Sequence, residues 1–223
     1  MIESTRPSTT ARTPATSAPS ATSVAASWSA DGLLDELGRF EELLRSLDAA
    51  EWDTPSRCAG WTVGDVARHT VGSLADVAAG RLDGLGTPEV TEREVDERAG
   101  RTAEELADEC AEVRKAAAGL LPVFDDDAWN ATAPGGYEGT LGDGVEALWY
   151  DTWLHGDDIR AATGRPSVQG DGMRSAVSHV RFELAKRGWV GDVPEEGDAA
   201  FGFILAATGR APSGPDGPLD IYA

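Results

Sequence analysis

The sequence predicts an all-α fold, a bundle of four main helices with short additional helices, and three observations carry that prediction. Apolar residues return at steps of three and four over several long stretches, the spacing that builds one buried stripe on a helix. Three stretches open on a Thr whose third following residue is acidic: Thr62 with Asp65, Thr102 with Glu105 and Thr140 with Asp143. That is the pattern of a capping box, with Asp in place of Glu in two of the three. No run alternates apolar and polar residues for long enough to make a strand, and no internal repeat is present.

Taken in order, residues 1–29 are rich in Ser, Thr, Ala and Pro, without a large apolar residue between Arg6 and Ser23. Such a segment cannot bury enough surface to offset its ordering entropy, so it is expected to be a disordered tail. The bundle domain is expected to span residues 30–210. Leu33, Leu37, Phe40, Leu44 and Leu47 place its first helix at residues 30–47. Residues 48–61 form a loop, broken by Pro55 and Gly60 and anchored by Trp52 and Trp61.

Thr62 starts a second helix that runs to about residue 82, with Val66, Thr70, Ser73, Leu74 and Val77 on its inner side and His69 among them. Residues 81–100 read as a connection with a helical turn at residues 90–97. The third helix, residues 102–121, carries Leu106, Cys110, Val113, Ala117 and Leu120 and stops at Pro122. Residues 124–139 are irregular and acidic, and an ordered loop of that length tends to line a binding site. The fourth main helix runs from Thr140 to about residue 163, where Gly164 and Pro166 end it. Residues 171–187, with Met173, Val177, Val180 and Leu184 inward, and residues 199–208 are the additions. His179 falls off that stripe and is read as a surface histidine. Residues 211–223 are a Pro- and Gly-rich C-terminal tail, expected to lie over the bundle.

Composition excludes several classes of partner. Thirty-nine acidic residues against nineteen basic ones give a formal charge of -20, which repels nucleic acid and anionic membranes. No stretch has the length or apolarity of a signal peptide or membrane span, so a cytoplasmic protein is expected. Cys58 and Cys110 are the only cysteines. They are too few for a disulfide framework or a Cys-rich zinc site, so a bound metal would rest on nitrogen and oxygen. Cys110 reads as a core residue. Cys58, just ahead of a helix start, reads as structural, with a reactive thiol as the alternative.

The most specific stretch is Val145-Glu-Ala-Leu-Trp-Tyr-Asp-Thr-Trp-Leu-His-Gly-Asp-Asp-Ile-Arg160. Asp151 and His155 lie four apart, on one helix face, where they form either an ion pair or two ligands of one metal ion. His69, inward on another helix, is either a core histidine bonded to a carbonyl or a third ligand. Two imidazoles and a carboxylate on facing helices are a ligand set of catalytic zinc sites, which leave one position open. Trp149, Tyr150 and Trp153 crowd the same helix and are candidates to wall a pocket for cofactor or substrate. Asp158, one turn past His155, either orients a ligand or pairs with a base such as Arg160.

Two segments resemble a known family. Trp52-Asp-Thr-Pro-Ser-Arg-Cys-Ala-Gly-Trp-Thr-Val-Gly-Asp-Val-Ala-Arg-His69, followed by Asp151-x-x-x-His155-Gly-x-Asp158 and Ala162-Thr-Gly-Arg165, is similar to the mycothiol-dependent maleylpyruvate isomerase N-terminal domain, a DinB-like metal-binding four-helix bundle. The resemblance runs from Leu33 to Arg165 and more loosely to Arg210. It implies that His69, Asp151 and His155 are metal ligands, with zinc as the usual ion and mycothiol as the thiol. The acidic ligand in that isomerase is Glu, one methylene longer than Asp151. The isomerase also has a further C-terminal domain, and this chain is expected to be too short for a full copy.

The function expected from these readings is a metal-dependent enzyme that uses a low-molecular-weight thiol for S-transfer to an electrophilic small molecule. The alternatives are a thiol-assisted cis-trans isomerase of the maleylpyruvate type and a non-catalytic bundle that binds a small molecule or a partner.

Overall fold

The computed structural model describes residues 21–211 and 221–222. Within them the chain folds as helices α1 (Ala21–Arg45), α2 (Ala49–Trp52), α3 (Val63–Ala78), α4 (Pro88–Glu97), α5 (Ala103–Leu120), α6 (Asp126–Trp129), α7 (Leu141–Ala162), α8 (Asp171–Lys186) and α9 (Gly197–Ala207). No strand is present among the described residues; the only extended pairings there are single bridges, Pro55 with Thr62 and Thr132 with Thr140. All three expected capping boxes form, at Thr62, Thr102 and Thr140, so these helix starts are set by local chemistry.

Helix α1 packs on α5 and α7, and α3 packs on α5, α4 and α7, which makes α1, α3, α5 and α7 the four-helix bundle. Their shared core holds Leu37, Phe40, Leu44, Val66, Leu106, Cys110 and Trp149. A second core forms on the far side of α7, where Tyr150, Trp153 and Leu154 meet Met173, Val177 and Val180 of α8 and Ile204 of α9. Helix α7 is therefore buried on nearly every side. An amphipathic pattern is weak there because both faces have partners.

Three differences from the sequence reading have physical causes. Helix α1 begins at Ala21, nine residues before the expected start, because residues at the end of an established helix add at little cost and Trp28 packs on Trp149 at 4.6 Å. Residues 1–20 of the expected disordered tail lie outside the described residues. The turn expected at residues 90–97 is a full helix, α4, started by Thr87 as N-cap and Pro88 in its first turn. His179 is not on the surface. It is buried against the ring of Tyr150 at 4.2 Å, because α7 covers that side of α8 as well. Of the C-terminal tail, residues 212–220 and 223 lie outside the described residues, but Ile221 is buried and its N–H donates to Ala207 O at 2.8 Å.

Candidate metal centre

Helix α3 carries His69 two turns in from its Thr62 cap, and α7 carries Asp151 and His155 near its middle. The packing of α3 against α7 brings the three together. One donor atom from each lies within 4.8 Å of the other two. The imidazoles of His69 and His155 stand perpendicular, with centroids 5.1 Å apart. His155 Nε2 and Asp151 Oδ1 are 3.5 Å apart. Two ligands at about 2.0–2.2 Å from a tetrahedral ion would be roughly 3.3–3.6 Å apart. The shorter Asp side chain therefore reaches as far as a shared ion would require.

The outer nitrogens of both rings are held by carboxylates. His69 Nδ1 donates to Glu94 Oε2 at 2.8 Å, and His155 Nδ1 donates to Asp158 Oδ2 at 3.1 Å. With Nδ1 carrying the proton, Nε2 is left with its lone pair, the tautomer a metal needs. Burial lowers the pKa of His69, but the Glu94 hydrogen bond and the charges of Asp151 and Glu94 outweigh it and leave the pKa raised. Glu94 itself is 1 % exposed, and its Oε1 has no hydrogen-bond partner among the described residues. A carboxylate buried in this way calls for positive charge nearby, and a divalent ion on the far nitrogen of His69 would supply it. The residues present therefore fit a metal ion.

Asp158 is fully buried and clamped by guanidinium groups. Arg210 donates to it from Nε and Nη2 at 2.8–3.0 Å, and Arg57 Nε donates at 3.1 Å. Burial raises its pKa, but the hydrogen bonds and charges of His155 and Arg210 hold it far below the usual carboxylate range. Of the two roles read for it, Asp158 thus orients His155 and pairs with bases, though the bases are Arg57 and Arg210 and not Arg160. Cys58 Sγ donates to Asp158 Oδ2 at 3.3 Å. Burial and then the Asp158 charge push its thiol up to about 12, so it stays protonated and unreactive, as its structural reading anticipates. Cys58, His155 and Asp158 are also mutually close. That group is a weaker candidate centre, because Asp158 is already neutralised and Cys58 keeps its proton.

A cavity of about 730 Å³ opens over His69, Asp151 and His155. Of the three aromatics expected to wall it, Tyr150 does so, with its hydroxyl 2.6 Å from that of Tyr222. Trp149 and Trp153 do not. Trp149 fills the space over Gly32 in the bundle core, and Trp153 Nε1 donates to Val168 O on the α8 side. Trp149 and Trp153, one turn apart, share a side of α7 that the bundle core and the second core fill, while Tyr150 points about 100° round from Trp149.

Sequence reasoning missed Glu94, Arg210, Tyr222 and the inward place of His179. Nothing in the local pattern separates Glu94 from Glu92 or Glu97. His179 does sit two residues from Val177 and next to Val180, a hint of a wider buried face.

The model of the family described as mycothiol maleylpyruvate isomerase N-terminal domain matches residues 33–160, more than half of the chain. Two solved structures are similar in fold. One is a crystal structure of the mycothiol-dependent maleylpyruvate isomerase, with a TM-score of 0.59 and 15 % identity over 83 % of this chain and 90 % of that one. The other is a histidine-to-alanine mutant of the isomerase, with a TM-score of 0.58 and 17 % identity over 86 % of this chain and 91 % of that one. The likeness thus extends past the matched domain, to about nine-tenths of each of those chains. No curated protein matches the chain. On the match over residues 33–160, the chain belongs to the mycothiol maleylpyruvate isomerase N-terminal domain family.

Proposed function

We propose that the protein is a metal-dependent enzyme that uses mycothiol, or a related low-molecular-weight thiol, for S-transfer to an electrophilic small molecule. The observation that carries this reading is the convergence of His69, Asp151 and His155 at the floor of a cavity, with each imidazole oriented by a buried carboxylate. Two nitrogens and one oxygen with an open position suit zinc. A divalent ion bound there lowers the pKa of a thiol in the open position, so that the attacking form is a thiolate at neutral pH. His69, Asp151 and His155 hold the site, Glu94 and Asp158 fix the rings, and Tyr150 with Tyr222 bounds the space for the second substrate. Two free cysteines and a thiol co-substrate accord with a reducing, cytoplasmic location.

A second reading, thiol-assisted isomerisation, is favoured by the name of the family and by the two similar structures. Thiol stoichiometry separates the two, because a transferase consumes one thiol per product whereas an isomerase returns it. The metal itself is tested by elemental analysis of protein purified without chelators. About one divalent ion per chain is expected, and His69→Ala is expected to lower that content at least tenfold. Protein without stoichiometric metal, or a variant with unchanged content, would remove the basis for both readings and leave a binding bundle.

A further inference from the structure

We infer that the electrophile accepted by this cavity is an uncharged, largely apolar small molecule and not a carboxylic acid; the inference rests on the thiol-using reading above and narrows its second substrate. Val77, Leu82, Leu85, Leu141, Val145 and Leu148, drawn from α3, the segment after it and α7, line the cavity that holds the candidate metal centre, and apolar surface exceeds polar surface there. Apolar area of this kind favours a ligand with little charge to desolvate.

Charge balance points the same way. Among the described residues, Arg57 and Arg210 are the only Arg or Lys side chains that line the cavity. Arg210 spends all three guanidinium nitrogens, Nε and Nη2 on Asp158 and Nη1 on Thr208 O. Arg57 places Nε on Asp158 and Nη2 on Asp157 at 2.5 Å. Two guanidinium groups against Asp157 and Asp158 leave no surplus charge. Glu183, also on the wall, is paired with Lys186 and Arg187. At the centre, a divalent ion would face Asp151, Glu94 and a thiolate, one negative charge in excess. A substrate carboxylate would thus lose its water without meeting a spare cation, a large cost.

For a halogenated arene the step balances simply. The thiolate sulfur bonds to the ring carbon, the carbon–halogen bond breaks, the halide leaves with the electron pair, and the thiol proton passes to buffer.

The test compares matched neutral and anionic probes. Calorimetric titration of the purified holoprotein, with saturating mycothiol present, is made with 1,3-dinitrobenzene and with 3,5-dinitrobenzoate, neither of which carries a halide leaving group. The neutral probe is expected to bind at least tenfold more tightly, and to keep that preference after metal removal. Equal or tighter binding of the benzoate overturns the inference. Mycothiol consumption is then followed with methyl 4-chloro-3,5-dinitrobenzoate and 4-chloro-3,5-dinitrobenzoate, each rate divided by its rate without protein. Faster reaction of the acid overturns the inference while the thiol-using reading stands. No consumption with either counts against that reading, and the binding ratio still decides the character of the cavity. Leu85→Arg adds an unpaired cation to a loop position of the wall. It is expected to raise benzoate affinity at least tenfold with little change for the neutral probe, and an unchanged ratio would tell against the charge argument.

Discussion

The chemistry at the residue scale depends on which ring nitrogen each histidine presents, and that choice belongs to residues outside the candidate ligand set. Glu94 accepts a hydrogen bond from His69 Nδ1–H and Asp158 one from His155 Nδ1–H, so both Nε2 lone pairs would remain for a metal. Glu94→Gln keeps the shape but loses the charge and the certainty of the tautomer. It is expected to weaken metal affinity by about 10–100-fold, the usual scale for such partners, with an unchanged helical spectrum. Competition titration against a chromogenic chelator measures this, and wild-type affinity in the variant would show that Glu94 only fills space. His69, Asp151 and His155 were all legible in the sequence. Glu94 was not, because its role comes from a neighbour twenty-five positions away and from no pattern on its own helix.

Close approach of α3 and α4 positions that partner at the element scale. Gly72, one turn after His69, has no side chain where α4 crosses, and a Cβ there would meet Glu94 Cβ at 2.7 Å and Arg98 Nη1 at 2.9 Å. Gly72→Ala is therefore expected to push α4 outward. The cost should be about 1–3 kcal/mol in urea unfolding, the range for overpacking a well-filled site, accompanied by weaker metal binding. Gly119→Ala is the control. An added Cβ meets nothing within 4 Å there, and Ala in a helix should leave stability equal or up to about 1 kcal/mol higher. A Gly72→Ala protein with normal stability and normal metal affinity would mean that the two helices do not need this contact. The helix starts at Thr62, Thr102 and Thr140 were readable from four residues each. That the turn read at residues 90–97 is a full helix from Pro88 was hidden by its charge-rich sequence, since its buried side is one Glu and not an apolar stripe.

For the whole molecule, α7 lies between two cores, and this burial makes stability depend on pH. His179, 8 % exposed and stacked on Tyr150, has its pKa pushed down to about 4 by burial. The Glu183, Asp151 and Asp143 carboxylates pull the other way without offsetting it, and Lys186 adds to the fall. A free imidazole titrates near 6.5. Between that value and about 4 the unfolded chain takes up a proton that the folded chain refuses, so stability is full above 6.5 and falls as the pH drops through the window. The loss at pH 5 is about 2 kcal/mol from this group. In metal-free protein, His179→Phe keeps the stacking but has no proton to bind, so its loss of stability from pH 7 to pH 5 should be smaller by about that amount. Equal losses in the two proteins would exclude His179 as the source.

The sequence by itself determined what depends on neighbours along the chain. Helix positions follow from apolar spacing and Thr caps, and the pairing of Asp151 with His155 follows from one helical turn. Only the tertiary structure decided what depends on pairs of helices. It brought His69 to α7, gave Glu94 to His69, set Arg57 and Arg210 on Asp158, and turned Trp149 and Trp153 away from the cavity while leaving Tyr150 on it. The physical reason is that a helix assigns each residue a direction, but which directions meet a core, a cavity or water depends on what packs against every side. Around α7 nearly every side is packed.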